Sequence, residues 1–295
     1  MKIAMPADAA TVILVREPYQ VLLMRRHRAQ AFMGGACVFP GGSLDLSDRD
    51  PELLRYAQGL DGQKAKGLLQ EPMLTEDSAL GLFFSAIREL FEEAFVLLAY
   101  TPQGDPIAFE DRETINRFNG YRAALHDRKL SLKDLAVREG LMFALDRVVP
   151  YAHWITPESE HMRFDARFFL ARMPKGQEAS HDNIELTGSA WMTPQEALAR
   201  HAAGEIILMP PTLKTIEELN AFSAIDRLFA HAAQKTIHPI LPELFAEGDI
   251  LGVKLPHDPE YASELHRRPS RQGEPSRVVL KDGIWRTAFA YEEIR

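Results

Sequence analysis

The spacing of apolar and polar residues changes period several times along the chain, and each change marks an element. Ala10-Thr-Val-Ile-Leu-Val15 and Val21-Leu-Leu-Met24 are β-rich runs around Glu17-Pro-Tyr-Gln20, which predicts a hairpin. Ala36-Cys-Val-Phe39 predicts a third strand, stopped by Pro40 and the pair Gly41-Gly42. From Leu80 the period becomes helical. Leu80, Phe83, Phe84, Ile87, Leu90, Phe91 and Ala94 form one apolar stripe, with Ser85, Arg88, Glu89, Glu92 and Glu93 off it. Residues 96–100 predict a short strand. Residues 110–125 predict an amphipathic helix interrupted at Gly120. Ser131-Leu-Lys-Asp134 reads as a capping box opening another helix, which ends near Gly140. Residues 148–155 return to β character, residues 163–172 form the clearest long strand, and Ser189-Ala-Trp-Met192 a shorter one. Thr193-Pro-Gln-Glu196 combines cap, proline and capping-box glutamate, and Gly204 ends that helix. A second helix follows Pro210-Pro-Thr212, and Ser223-Ala-Ile-Asp226 restarts it.

Two stretches interrupt this order. Residues 46–78 open with Asp50-Pro-Glu, an N-cap followed by proline, and are broken into short pieces by Gly59, Gly62 and Gly67. They read either as a lid or specificity element or as a surface decoration. From Thr236 the prolines 239, 242, 256 and 259 punctuate the chain, and Asp282-Gly283 predicts a type I′ turn in a terminal hairpin. The expected organisation is a main domain over 1–220, with a helical insertion over 105–147, and an extension over 221–295 that serves a homodimer contact.

At 295 residues, with 46% hydrophobic and 26% charged residues, the chain can bury a substantial core and reads as an ordinary globular protein. Its net charge of −8 argues against a nucleic-acid partner. The lone cysteine, Cys37, precludes an intrachain disulfide and a cysteine-based zinc site. No run reaches membrane-spanning length, the start has no signal-type apolar region, and the last residues do not form a peroxisomal S-K-L address. A cytoplasmic protein without a membrane partner is the expectation.

The chemistry-bearing pattern is in the helix. Residues three and four apart are neighbours there, so Glu89 sits beside Glu92 and Glu93. Three carboxylates repel one another unless a cation neutralises them, and carboxylate oxygens suit a hard ion such as Mg2+ together with a substrate phosphate. Arg88 adds a positive group that can orient one acid. The alternative from spacing alone is a solvated acidic face. Arg25, Arg26, His27 and Arg28 either meet substrate phosphates or form a solvated strand end. There is no H-E-x-x-H, P-loop or G-x-G-x-x-G, and no motif for a serine or cysteine nucleophile.

Arg88-Glu-Leu-Phe-Glu-Glu93 resembles the R-E-U-x-E-E core of the Nudix hydrolase box, and Phe39-Pro-Gly-Gly42 resembles the F-P-G-G that opens it. Gly42 and Arg88 lie 46 apart where the family's pattern has fourteen, so an insertion of 32 residues separates them. Asp48 is the nearest counterpart of the first box glutamate, and Phe95 stands where the family has a glycine. Trp154-Ile-Thr-Pro157, Arg163-Phe-Asp165 and Trp191-x-Thr-Pro194 resemble the long-insert branch that includes the peroxisomal coenzyme A diphosphatase, over roughly residues 8–220. The resemblance implies an α/β class fold, the Nudix α/β/α sandwich with a mixed sheet, and hydrolysis of a nucleoside diphosphate linked to another group. It implies Mg2+ or Mn2+ held by Glu89, Glu92 and Glu93, with a backbone carbonyl near Gly42. Arg88, Glu92, Glu93 and Glu185 are the expected catalytic residues, with Glu158 and Glu160 competing with Glu185 as general base. Arg25 and Arg28 are the expected substrate contacts. Coenzyme A or an acyl derivative is the expected substrate. The alternatives are ADP-ribose or NADH-type pyrophosphates, and a non-catalytic nucleotide-binding module.

Overall fold

The structure is a computed structural model that describes residues 4–27, 33–181, 186–248, 250–270 and 273–291. The hairpin forms as β1 (Ala7–Arg16) and β2 (Gln20–Arg26), followed by the short strands β3 (Cys37–Val38) and β4 (Gly41–Ser43). The inserted segment contributes two 3-10 turns and α1 (Gly62–Leu69), and the acidic helix is α2 (Glu76–Ala94). Then come β5 (Ala99–Tyr100), α3 (Arg112–His126), α4 (Leu132–Glu139), β6 (Met142–Phe143), β7 (Val149–Ile155), β8 (Phe164–Arg172) and β9 (Leu186–Met192). Three helices follow, α5 (Pro194–Ala202), α6 (Pro210–Leu219) and α7 (Ile225–Ala232).

The main sheet is organised on β1. It runs parallel to β8 along nearly its whole length, and β7 pairs with β8 antiparallel. Its other edge is shared: β4 lies antiparallel to Ala9, Ala10 and Thr11, and β2 to Val15 and Arg16. Strand alternation then makes the layers. Ala10, Val12 and Leu14 of β1 pack into a core with α1 to α4, whereas Ile13 and Val15 pack into a second core with α5 to α7. The result is a mixed sheet between two helical layers.

Several expectations change in detail. Residues 96–98 are buried but not a strand, because the Gln177 side chain takes both the N–H and the carbonyl of Leu97 (2.9 Å each). Only β5 remains, paired with β6 away from the main sheet. Helix α3 runs through Gly120 without interruption, since one exposed glycine costs only about 1 kcal/mol. The inserted segment is not a surface decoration: Leu53, Ala65 and Leu69 belong to the α2 core.

The tail holds more structure than one hairpin. Strand β10 (Pro239–Ile240) extends the main sheet beside β7. Then β11 (Glu243–Glu247), β12 (Ile250–Lys254), β13 (Arg277–Lys281) and β14 (Ile284–Ala288) form a four-stranded antiparallel sheet. Asp282 and Gly283 both have positive φ (51° and 76°), as the predicted turn requires. Val253, Leu255 and Val278 share the α5–α7 core, and Thr287 donates to Glu217 of α6 at 2.9 Å.

Candidate active site

Helix α2 is buried on almost every side. Thr75 caps its start, its hydroxyl accepting from the Ser78 N–H at 3.1 Å. The polar side is buried as well: Glu89 and Glu93 are 9% and 6% exposed, and Ser85 is fully covered. A solvated acidic face is thereby ruled out. What covers it is β4. A Cβ at Gly42 would lie 2.4 Å from Oε1 of Glu89, and one at Gly41 would lie 2.4 Å from the Ala10 carbonyl. Only glycine allows this approach, and the Gly41 N–H donates to Glu93 Oε2 at 2.8 Å.

The exit of α2 is built without a glycine. Phe95 adopts the left-handed conformation (φ 56°, ψ 31°), which costs a non-glycine residue about 1–2 kcal/mol. Its ring is buried against Phe91 and Phe109, with centroids 5.7 and 5.0 Å away. Burying a phenylalanine contributes about 1.5–3 kcal/mol, enough to offset the backbone cost. Arg122 of α3 closes the helix end, donating to the carbonyls of Glu92 (2.6 Å), Glu93 (2.8 Å) and Ser180 (3.0 Å). A cation suits that end, where unpaired carbonyls concentrate negative charge.

Arg88 is the hub. Its Nε and one terminal nitrogen donate to both oxygens of Asp48 (2.9 Å each), and the same terminal nitrogen donates to the Ser43 carbonyl at 2.8 Å. Its other terminal nitrogen donates to Glu89 (2.8 Å) and Glu92 (3.3 Å). Asp48 is 2% exposed and locks the guanidinium from behind. Burial pushes the Glu89 carboxyl up to about 7, with Arg88 opposing and the charges of Glu92 and Asp48 adding to the rise. Burial also raises Glu92 and Asp48, against Arg88. Burial works against the charge of Arg88, but Glu89 and Asp48 more than compensate and its pKa rises.

Asp48, Glu89 and Glu92 therefore converge on Arg88, with Glu93 beside them on the same helix as Arg88, and the acids outnumber the arginine that bonds them. The donor set is carboxylate oxygen without sulfur or imidazole, which fits a hard divalent ion. Among the described residues no three acidic, histidine or cysteine side chains already converge as ligands. Glu89 and Glu92 are drawn to Arg88, and Glu93 to the Gly41 N–H.

Beside this cluster lies a cleft of about 500 Å³, with Arg88 in its wall. Residues 44–47 form one side and the turn between α3 and α4 the other.

Arg25 lies elsewhere. Arg25 follows Val21 and Leu23 onto the face of β2 away from α2, and reaches the Glu205 carbonyl at 3.5 Å. Arg28 and Glu185 lie outside the described residues. Glu158 and Glu160 are exposed, with Glu158 in electrostatic reach of Tyr261 and His266 in the tail. Arg122 and Gln177 carry no sequence signal, since each works through backbone atoms of distant residues.

Fold and site together define a Nudix pyrophosphohydrolase. A Nudix hydrolase from Alicyclobacillus acidocaldarius superposes with a TM-score of 0.65 at 24% identity, covering 78% of this chain and 97% of that one. The model of the NUDT19 Nudix domain matches residues 3–219, and the chain belongs to that family. Acyl-coenzyme A diphosphatase NUDT19 of Xenopus laevis is 25% identical over 295 residues, covering 90% of this chain and 76% of the relative. The Homo sapiens protein of the same name is 26% identical over 281 residues, covering 84% and 74%.

Proposed function

We propose that the protein hydrolyses the pyrophosphate of coenzyme A or an acyl-coenzyme A, releasing adenosine 3′,5′-bisphosphate and a phosphopantetheine. The observation that carries the hydrolytic site is the cluster of Asp48, Glu89 and Glu92 around Arg88, with Glu93 held by the Gly41 N–H beside it. The substrate is supported by the acyl-coenzyme A diphosphatase relatives. Glu89, Glu92 and Glu93, with a carbonyl near Gly42, are the residues that would hold Mg2+ or Mn2+. Such an ion lowers the pKa of a bound water and screens pyrophosphate charge. Arg88, fixed by Asp48, orients Glu89 and Glu92, and the Gly41 N–H orients Glu93. Glu185 remains the proposed general base. In this reading residues 1–220 carry catalysis, residues 221–295 dock on them, and the protein works as a cytoplasmic homodimer.

The test is product analysis with coenzyme A, acetyl-coenzyme A, ADP-ribose, NADH and diadenosine polyphosphates, with and without Mg2+ or Mn2+. Adenosine 3′,5′-bisphosphate from coenzyme A supports the reading. AMP from ADP-ribose or NADH alone would move the substrate class. No cleavage by ion-loaded protein would make it a nucleotide-binding module.

A further inference from the structure

The cleft beside the acid cluster carries features that the hydrolytic site leaves unused. Its far rim is the turn after α3, which presents Arg128 and Lys129 with side chains 81% and 73% exposed. Their partners are weakly held: Arg128 reaches Asp45 across the cleft at 3.4 Å, and Lys129 meets its near neighbour Asp127 at 2.7 Å. Exposed pairs of this kind contribute little, so an incoming phosphate can replace the carboxylates at small cost. The turn itself is well defined. Arg128 takes a left-handed conformation (φ 57°), and the N–H groups of Lys129 and Leu130 both donate to the Ala124 carbonyl at 2.8 and 3.1 Å. Leu125 and Leu130 line the same cleft as Arg88, and so does Leu46, which is 81% exposed.

A cleft lined by leucines, by Arg88 of the hydrolytic cluster and by two exposed cations, with Asp45 and Asp134 also in its wall, suits a particular ligand. It is a nucleotide bearing an anionic group beyond the scissile pyrophosphate. In a coenzyme A-type molecule only the nucleotide half has one, the 3′-phosphate. We infer that Arg128 and Lys129 receive this 3′-phosphate, with the base against Leu46, Leu125 and Leu130. The inference rests on the coenzyme A reading and adds a specificity determinant to it.

The test has two arms on the full chain. Calorimetry compares adenosine 3′,5′-bisphosphate with 5′-AMP, using wild type, Arg128→Ala/Lys129→Ala and the conservative Arg128→Lys/Lys129→Arg. Wild type prefers the bisphosphate by about tenfold, the order expected for a charge-assisted phosphate contact. The alanine pair loses that preference and the conservative pair keeps most of it. Kinetics then compare coenzyme A with dephospho-coenzyme A, and the ratio of their kcat/KM falls about tenfold in the alanine pair, through KM. Both side chains are exposed, so thermal unfolding checks that the variants fold. A preference equal in wild type and the alanine pair, or absent from wild type, overturns the inference. Failure to cleave either coenzyme A form would instead count against the proposed substrate, while the binding arm still decides the cleft.

Discussion

Arg88 and Arg167 are both buried among acids, and their surroundings differ in a telling way. Arg167 of β8 donates to both oxygens of Glu71 (2.9 and 2.6 Å), to Asp8 (2.5 Å) and to the Asp165 carbonyl (2.8 Å). His153 adds a second basic group, bonded to Asp165 and 3.6 Å from Glu71. Burial works against the Asp165 charge, yet His153 and Arg167 hold its carboxyl below the usual range. Around Arg88 the balance is reversed: Asp48, Glu89 and Glu92 are all pushed up, burial first. In the first cluster Arg167 and His153 face three acids, and it fastens the inserted segment, through Glu71, to β1 and β8. In the second, one arginine bonds three acids whose carboxyls are all pushed up. Burial of charge is common to both, so the upward shift of its acids distinguishes the candidate catalytic cluster.

Removing the two arginines breaks the comparison most forcefully. Arg167→Met should destabilise the protein by about 3–5 kcal/mol, the usual cost of stranding buried acids, and added Mg2+ should recover none of it. Arg88→Met should cost a similar amount, but Mg2+ should restore part of it by supplying the missing charge. Urea unfolding with and without the ion measures both, and equal recovery in the two variants would remove the distinction. Next in size, Glu93→Gln should lower ion-dependent hydrolysis by on the order of a hundredfold or more, while its unfolding midpoint stays near that of wild type. Undiminished turnover would place the ion elsewhere.

Phe95→Gly sharpens the account of the helix exit. Lost ring packing, about 3–5 kcal/mol, outweighs about 1–2 kcal/mol of relieved backbone strain, so the variant should be less stable by about 2 kcal/mol. A stabilised variant would show that the phenylalanine is merely tolerated there. The smallest effect is a pH dependence. Glu89 is pushed from 4.5 to about 7, so the folded state binds its proton more tightly than the unfolded chain. Its contribution is therefore favourable below about 4.5 and lost as pH rises through about 7. Without a divalent ion, wild type should lose stability relative to Glu89→Gln over that window, and Mg2+ should reverse the trend. Thermal midpoints of the two proteins at stepped pH give the result, and a flat difference would mean Glu89 carries no excess charge.

Much of this was legible in residue order. The apolar stripe of α2, the glycine pair and the capping signals of α4 and α5 are local, and local patterns survive folding. The acid helix was readable because its acids fall at i, i+3 and i+4. What was not readable depends on residues far apart. Asp48 meets Arg88 only because the inserted segment returns to the sheet, and Arg122 reaches α2 only because α3 packs across its end. Arg25 looked suitable by charge, but strand alternation sends it to the other face. The hairpin of β11 and β12 was hidden among prolines, since its stabilising partner β13 lies more than twenty residues further along.

The most direct measurement is a calorimetric titration of Mn2+ into wild type and Glu93→Gln near pH 7.5. The account predicts ion binding in wild type that is lost or much weakened in the variant. Identical titrations, or none in wild type, would contradict the claim that this buried acid cluster is built to take a divalent cation.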